Sequence, residues 1–290
     1  MLNWKEIPKI DAHVHLMPED VILANQGNGD PFVDFGDVGA YLKIMEENHI
    51  DMAYVMPFND PWMLSMAFTA EAVHENLIGM AKKGKGKIKC FADLDLRMPI
   101  DKMLEELDRV LALPVFAGIK VHAANTAYPV DGDYYDAVFA YAEEKQVLVE
   151  VHAYPRPHLG DDVCAPCRIL RVLERHPRLR MSVAHLGGMQ AEALIGAPVY
   201  MNLSAVLPDM ADGWGMAKAN RVLREIGVEK LVFATDFPTN RCVKPEYIYD
   251  RYYEILGQMD FTLDEAEMIC RGNAMKMMAD AGNYACFDES

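Results

Sequence analysis

The stretch Lys9-Ile-Asp-Ala-His-Val-His15 alternates apolar with polar residues, and Leu-Met-Pro-Glu-Asp20 follows it. The alternation predicts a β-strand whose Asp11, His13 and His15 side chains share one face, because strand residues two apart point the same way. Open doubly wound sheets usually bind their ligand on a glycine-rich turn after the first strand. The turn here contains no glycine, so it favours the other common parallel arrangement, a closed barrel.

Short apolar runs alternate with amphipathic helical patterns along the whole chain, without a linker or low-complexity tract between them. The predicted strands cover residues 9–15, 52–58, 88–96, 117–122, 147–154, 180–186, 199–205 and 231–237. The predicted helices cover residues 38–48, 61–82, 100–111, 134–145, 165–174, 190–195 and 215–226, and a further helical region, 262–278, closes the chain. Most of these strands are continuous apolar runs, which suits a parallel sheet covered by helices. The sequence therefore predicts an α/β fold, a (β/α)₈ TIM barrel with an extra C-terminal helix.

Length and composition agree with one large globular domain. The chain has 290 residues, of which 51% are hydrophobic and 25% are charged. This proportion supplies enough apolar side chains to bury a substantial core. Because barrels of this kind run to roughly 250 residues as one unit, we expect residues 1–290 to form a single barrel domain.

Charge and cysteine content limit which classes of binding partner and which cellular compartment we expect. The formal net charge of −16 repels phosphate backbones and anionic lipid headgroups. We therefore expect a small-molecule substrate, and neither nucleic acid nor a membrane, as the partner. The N-terminus lacks the features of a signal peptide, and six cysteines in so long a chain indicate reduced thiols, so we expect a cytoplasmic protein. The single Cys-x-x-Cys, Cys164-Ala-Pro-Cys167, has no second pair, which favours a helix start over a zinc or redox site.

Histidines concentrate at the ends of the predicted strands. Strand one carries His13 and His15, and strands five, six and eight carry His152, His185 and Asp236. In a parallel barrel these strand ends meet at one mouth. Several imidazoles together with a carboxylate are the ligands that Zn²⁺, Mn²⁺ and Fe²⁺ use in proteins. The pattern therefore predicts a divalent metal site.

Five motifs, in this order along the chain, resemble those of the amidohydrolase superfamily. They are Asp11-Ala-His13-Val-His15, the strand-five His152, His185-Leu-Gly-Gly, Ala234-Thr-Asp236-Phe-Pro and Gly272-Asn-Ala274. Within the superfamily the chain is similar to the branch that includes aminocarboxymuconate-semialdehyde decarboxylase, often labelled predicted metal-dependent hydrolases of TIM-barrel fold. The resemblance covers nearly the whole chain.

The resemblance implies one divalent metal ion, usually zinc in this branch, with manganese or iron as alternatives. The ion would be held by His13, His15, His152 and Asp236. His185 would be the neighbouring base that activates a water molecule, and Asp236 would share in the proton transfer, which makes these two the catalytic residues. Barrels of this branch are commonly dimers, so the resemblance also allows a homodimer.

Lys120, in the strand-four segment Gly118-Ile-Lys-Val-His122, has three interpretations. In binuclear members of the superfamily a strand-four lysine becomes carboxylated and bridges two metal ions. Lys120 could instead bind a substrate anion, or it could only pack in the core. His122 faces the same way, nearer the mouth, and is a further candidate for substrate binding.

Loops after the strands supply other candidates for substrate binding. Arg97, Arg156 and Arg241 could each pair with a substrate carboxylate, or could be ordinary surface residues. Tyr154 follows strand five and could line the same pocket.

Two acidic residues, Asp11 and Glu150, lie one layer deeper in the barrel than the candidate ligands. Either carboxylate could accept the N–H of a ligand histidine and so fix its tautomer. The alternative for each is a hydrogen bond to neighbouring backbone.

Three functions fit these observations. The leading expectation is a metal-dependent hydrolase, in which metal-activated water attacks a carbonyl or ester-like carbon of a small substrate that can carry a carboxylate. The alternative on the same scaffold is a non-oxidative decarboxylase. The third, a non-catalytic binding protein with a structural metal, is disfavoured because none of the five expected positions is missing.

Overall fold

Eight parallel strands follow one another around a single sheet in sequence order. The structure, a computed structural model, describes residues 2–25, 27, 31–59, 68–156, 162–239 and 247–280. The strands are β1 (Lys9–His15), β2 (Ile50–Met56), β3 (Ile88–Ala92), β4 (Phe116–Val121), β5 (Val149–Val151), β6 (Met181–Val183), β7 (Tyr200–Asn202) and β8 (Leu231–Val232). The predicted (β/α)₈ barrel is confirmed.

Backbone hydrogen bonds between β1 and the segment after β8 close the barrel. The amide of Ala12 donates to Phe233 O at 3.0 Å, and the amide of His15 donates to Phe237 O at 2.7 Å. Between them, the amide of Asp236 donates to His13 O at 2.9 Å. Barrel closure itself therefore places His13 and Asp236, which are far apart in the sequence, side by side.

Helices cover the outside of the barrel. They are α1 (Glu19–Asn25), α2 (Pro31–Phe35), α3 (Val38–Glu47), α4 (Ala70–Lys83), α5 (Ile100–Leu111), α6 (Ala123–Thr126), α7 (Asp133–Lys145), α8 (Pro166–Arg175), α9 (Val206–Trp214), α10 (Met216–Ile226), α11 (Ile248–Gly257), α12 (Leu263–Glu267) and α13 (Asn273–Asp280). A 3₁₀ segment covers Ala184–Leu194, and a π-helical turn, Met268–Gly272, joins α12 to α13. The α12–α13 region is the expected extra C-terminal helix, whereas α11 was not predicted.

Side-chain caps set where several helices begin. Asp37 accepts the amide of Ala40 at 2.8 Å at the start of α3. At the start of α12, Thr262 and Glu265 form a capping box in which each side chain accepts the other residue's backbone N–H. Such caps satisfy amides that have no partner within the helix. The predicted helix start at Cys164-Ala-Pro-Cys167 also agrees with the structure, because α8 begins at Pro166.

The core forms two clusters, one between the strands and the helices and a smaller one that includes the last helix. In the smaller cluster Met277 and Met278 of α13 join Ile10 and Leu148, which lie at the starts of strands. The C-terminal helix therefore covers the amino-terminal end of the barrel, opposite the strand ends that carry the histidines. No helix in the described ranges is both long and apolar enough to cross a membrane.

Candidate active site

Three side chains converge where β1 meets the segment after β8. The Nε2 atoms of His13 and His15 are 3.3 Å apart, and they lie 3.2 Å and 3.4 Å from Asp236 Oδ1. Donors that bind one tetrahedral ion at about 2.0–2.1 Å are about 3.2–3.5 Å from one another. Two imidazole nitrogens and a carboxylate oxygen at this spacing fit a divalent metal ion.

Electrostatics within this group favour an ionised carboxylate. Burial alone would raise the pKa of Asp236, but hydrogen bonds from His13 and His15 hold it well below its usual range. For His13, burial and Lys120 oppose protonation, yet the Glu150 and Asp236 carboxylates raise its pKa overall. Asp236 is therefore ionised and available to bind a cation.

His185 reaches the same group from a strained segment after β6. His185 and Leu186 have φ values of 60° and 52°, ahead of Gly187 and Gly188 at 83° and 62°. Such left-handed backbone is costly for residues with a side chain and occurs mostly at functional sites. Ligand atoms of His13, His185 and Asp236 all lie within 4.8 Å of one another.

Hydrogen bonds fix the tautomer of His185. Its Nδ1 lies 2.9 Å from both the carbonyl oxygen and the hydroxyl of Ser204. The Ser204 hydroxyl donates to Asn202 Oδ1 at 2.5 Å, which leaves its oxygen as an acceptor. His185 therefore carries its proton on Nδ1, and Nε2 has a lone pair that can accept a hydrogen bond.

The ring of His152 contacts the ring of His185. Its Nδ1 is 3.0 Å from His185 Nε2 and donates to it, since that nitrogen carries no proton. Burial lowers the pKa of both rings well below 6.5, so both are neutral. The predicted ligand His152 and the predicted base His185 are thus in contact, and His185 is the one grouped with His13 and Asp236.

Glu150 and Lys120 form a buried chain beneath the group. Glu150 Oε1 lies 2.6 Å from His13 Nδ1 and 3.3 Å from Lys120 Nζ. This close contact is of the kind that would fix the His13 ring and leave Nε2 for a metal ion. It fits the supporting role predicted for Glu150.

For Asp11 the alternative is observed: its carboxylate accepts the backbone amides of His13 at 3.3 Å and Thr235 at 3.1 Å rather than a histidine ring N–H. Its carboxylate accepts from the hydroxyls of Thr235 at 2.6 Å and Tyr249 at 2.8 Å, and Tyr249 belongs to the outer helix α11. The register between β1 and β2 shifts between Asp11 and Val14. One extra residue in β1 turns Asp11 towards the helices while His13 faces the mouth.

The remaining predicted residues divide into two groups. Lys120 and His122 line a cavity beside the mouth, and the His122 ring stacks on His152 with centroids 3.9 Å apart. By contrast, Tyr154 donates its hydroxyl to Asp209, Arg156 pairs with Asp162 at 2.9 Å, and Arg97 pairs with Asp95 at 2.7 Å. Arg241 lies outside the described residues.

Two polar residues near the site were missed. Asn202, the last residue of β7, accepts the amide of His185 as well as the Ser204 hydroxyl. Asp93 directly follows β3 and lines the cavity with Lys120 and His122. Their position at strand ends was the available signal, but the predicted strands ran past both residues.

Comparisons with known proteins agree with this geometry. A sequence model of the amidohydrolase family matches residues 10–278. No curated protein matches the sequence closely enough to count as a relative.

Three solved structures share the barrel. A 2,6-dihydroxybenzoate decarboxylase from Rhizobium is 16% identical over 94% of this chain and 98% of its own, with a TM-score of 0.67. A 5-carboxyvanillate decarboxylase from Novosphingobium aromaticivorans, complexed with manganese and 4-hydroxy-3-methoxy-5-nitrobenzoic acid, is 15% identical over 95% and 97%, with a TM-score of 0.69. An uncharacterized TIM-barrel protein from Bordetella bronchiseptica is 15% identical over 95% and 99%, with a TM-score of 0.73.

At these identities the structural likenesses establish the fold alone. The family match, in contrast, runs from β1 to α13 and includes every strand. The chain therefore belongs to the amidohydrolase family of enzymes.

Proposed function

We propose that the protein is a divalent-metal-dependent decarboxylase that releases carbon dioxide from a small carboxylate-bearing substrate. The observation that carries the proposal is that Lys120 lies close to the group formed by His13, His15 and Asp236. Glu150 contacts both Lys120 and His13 and so connects them. A metal site and a buried amine in one mouth are suited to bind a carboxylate. Two of the structural neighbours are decarboxylases by name, which supports this chemistry over hydrolysis.

The proposed metal ligands are His13, His15, His152 and Asp236. When bound, a divalent ion would polarise a substrate oxygen and help to orient the substrate. Imidazole and carboxylate donors suit zinc as well as manganese. Zinc is the expectation from the sequence, and manganese is bound in one structural neighbour.

Lys120 is proposed to orient the substrate carboxylate. Burial lowers the pKa of its ammonium group, and the adjacent Glu150 carboxylate opposes this shift. A carboxylated Lys120 would bring a second negative charge beside Glu150 Oε1, which now lies 3.3 Å from Nζ. This repulsion favours the unmodified lysine over a bridge between two metal ions.

We assign proton transfer to the substrate to His185, and Asp236 lies beside it. In decarboxylation the electron pair of the broken C–C bond stays on the substrate carbon, which must then gain a proton. His185 is anchored through Nδ1 and directs Nε2 towards the mouth. To protonate the carbon, neutral His185 must first gain a proton at Nε2, which it can take from His152 Nδ1 at 3.0 Å while His152 regains one from water.

The test is a screen of the purified protein, loaded with manganese or zinc, against aromatic and unsaturated carboxylates, lactones, esters and amides. Carbon dioxide and acid release are measured in parallel. Decarboxylation predicts carbon dioxide release that His13→Ala abolishes and that Asp101→Asn, a change on the exposed face of α5, leaves intact. Acid release without carbon dioxide would assign hydrolysis, the second candidate, which the family name favours.

A further inference from the structure

Asp93 lies on the wall of the cavity that also contains Lys120 and His122. A residue of the helix layer fixes its backbone, because the Asp93 amide donates to His74 Nε2 at 2.9 Å. His74 in turn donates from Nδ1 to Glu106 Oε1 at 2.7 Å, and its side chain is fully buried. Residues of α4 and α5 thus fix the position of Asp93 at the end of β3.

Among the described residues, the Asp93 carboxyl group has no ion-pair partner. Within the described ranges, no Lys, Arg or His nitrogen lies within ion-pair distance of it, whereas Asp95 receives Arg97 Nε at 2.7 Å and Nη2 at 2.8 Å. Burial raises the pKa of Asp93 to about 7. A half-buried carboxyl group without an ion-pair partner costs stability, and such groups are concentrated at functional sites.

The cavity lining combines a buried amine, a neutral imidazole and one carboxyl group. Lys120 lies towards the proposed metal ligands. His122 Nδ1 accepts the amide of Asn125 at 3.2 Å, so the neutral ring keeps its proton on Nε2 as a donor. Asp93 is the one carboxyl group among the residues described as lining this cavity, and Leu94 and Tyr135 flank it.

We propose that Asp93 is a specificity-determining residue that accepts a hydrogen bond from a hydroxyl or N–H group of the substrate. The inference rests on the proposed function for the other end of the substrate, whose carboxylate would lie near Lys120 and the metal ligands. The substrate class is thereby narrowed to small carboxylic acids that carry a hydrogen-bond donor away from the reacting carboxylate.

The test measures binding by calorimetry to the manganese-loaded protein. The probes are benzoate, the three monohydroxybenzoates and the three aminobenzoates. A site built to bond a hydroxyl or N–H group discriminates against an analogue that lacks it. We expect at least one substituted probe to bind about tenfold more tightly than benzoate to the wild type, and the ratio to fall within about twofold in Asp93→Ala.

Further variants separate a binding role from a structural one. Asp93→Leu removes the acceptor at similar size and should give the same loss if the alanine variant does not fold. Asp93→Asn keeps an acceptor oxygen and should restore most of the preference, and the exposed-site control Asp101→Asn should retain all of it. Equal affinity of the wild type for all seven probes would overturn the inference, and so would a preference that survives Asp93→Ala.

The outcome is distinguishable from that of the decarboxylation screen. If the preference depends on Asp93 but no probe or screened acid releases carbon dioxide, the binding inference stands and the proposed function fails. If carbon dioxide is released while the preference is independent of Asp93, only the inference about Asp93 fails.

Discussion

At the scale of single residues, the protonation of each histidine decides what it can bind. The Glu150 carboxylate lies 2.6 Å from His13 Nδ1, and the carbonyl oxygen of Ser204 accepts the Nδ1 proton of His185. A ring with a fixed tautomer is a ready metal ligand or base, because it needs no reorganisation.

Glu150→Gln tests the support of His13. The amide cannot replace the carboxylate as a charged acceptor, so the tautomer and orientation of His13 lose their support. We expect metal affinity to fall about 10–100-fold, as measured by competition with a chromophoric chelator. Glu105→Gln, an exposed change on α5, is the matched control. Unchanged affinity in Glu150→Gln would contradict the role assigned to Glu150.

The division of labour between His152 and His185 is a separate prediction. His152 donates from Nδ1 to His185, which leaves its own Nε2 for a metal ion. We expect His152→Ala to lose the metal, and His185→Ala to retain it but to lose turnover. Metal content by elemental analysis, together with activity, separates the two. Equal metal loss in both variants would refute the separation and would make His185 a ligand.

At the scale of elements, strand ends were harder to predict than strands. The sequence pattern extends β3 over residues 93–96, but the strand ends at Ala92 and Asp93 is the first residue beyond it. The register shift in β1 that turns Asp11 outwards has no local signal in the sequence, because alternation predicts a regular strand. Both errors concern one or two residues of backbone, yet each changes which carboxylate faces the site.

Close packing of strands is testable at Gly118 in β4. A Cβ there would overlap the carbonyl oxygen of Leu148 and approach Phe91 Cε1 to 2.8 Å. We expect Gly118→Ala to lower the free energy of unfolding by about 1–3 kcal/mol in urea denaturation. Gly79→Ala, on an exposed position of α4 with open space around it, should instead raise it by about 0.5–1 kcal/mol. Equal effects in the two variants would contradict this packing.

At the scale of the whole molecule, the count of strand and helix units predicted the barrel. The barrel in turn predicted that the candidate ligands at the strand ends meet at one mouth. Strand order alone brings His13 to Asp236, because β1 pairs with the segment after β8. The substrate class could not be predicted in the same way. The substrate class depends on the cavity lined by Asp93 and His122. The loops that carry these residues take conformations that depend on tertiary contacts.

Removal of the metal should loosen the closure of the barrel. The proposed ligands His13 and Asp236 come from the two edges that meet there, so a bound ion links them. A ligand that binds only the folded state at 100 times its Kd adds about 2.7 kcal/mol of stability. We expect EDTA dialysis to lower Tm and manganese to restore it. A Tm unaffected by either treatment would show that no ion supports this seam.

The presence of one divalent ion at the mouth is the claim on which the proposed chemistry depends. The most direct measurement is anomalous X-ray diffraction at the metal absorption edge, on crystals of protein prepared with manganese or zinc. One peak per chain within bonding distance of His13 Nε2, His15 Nε2 and Asp236 Oδ1 is the predicted result. The absence of a peak there, or two peaks bridged by a carboxylated Lys120, would contradict it.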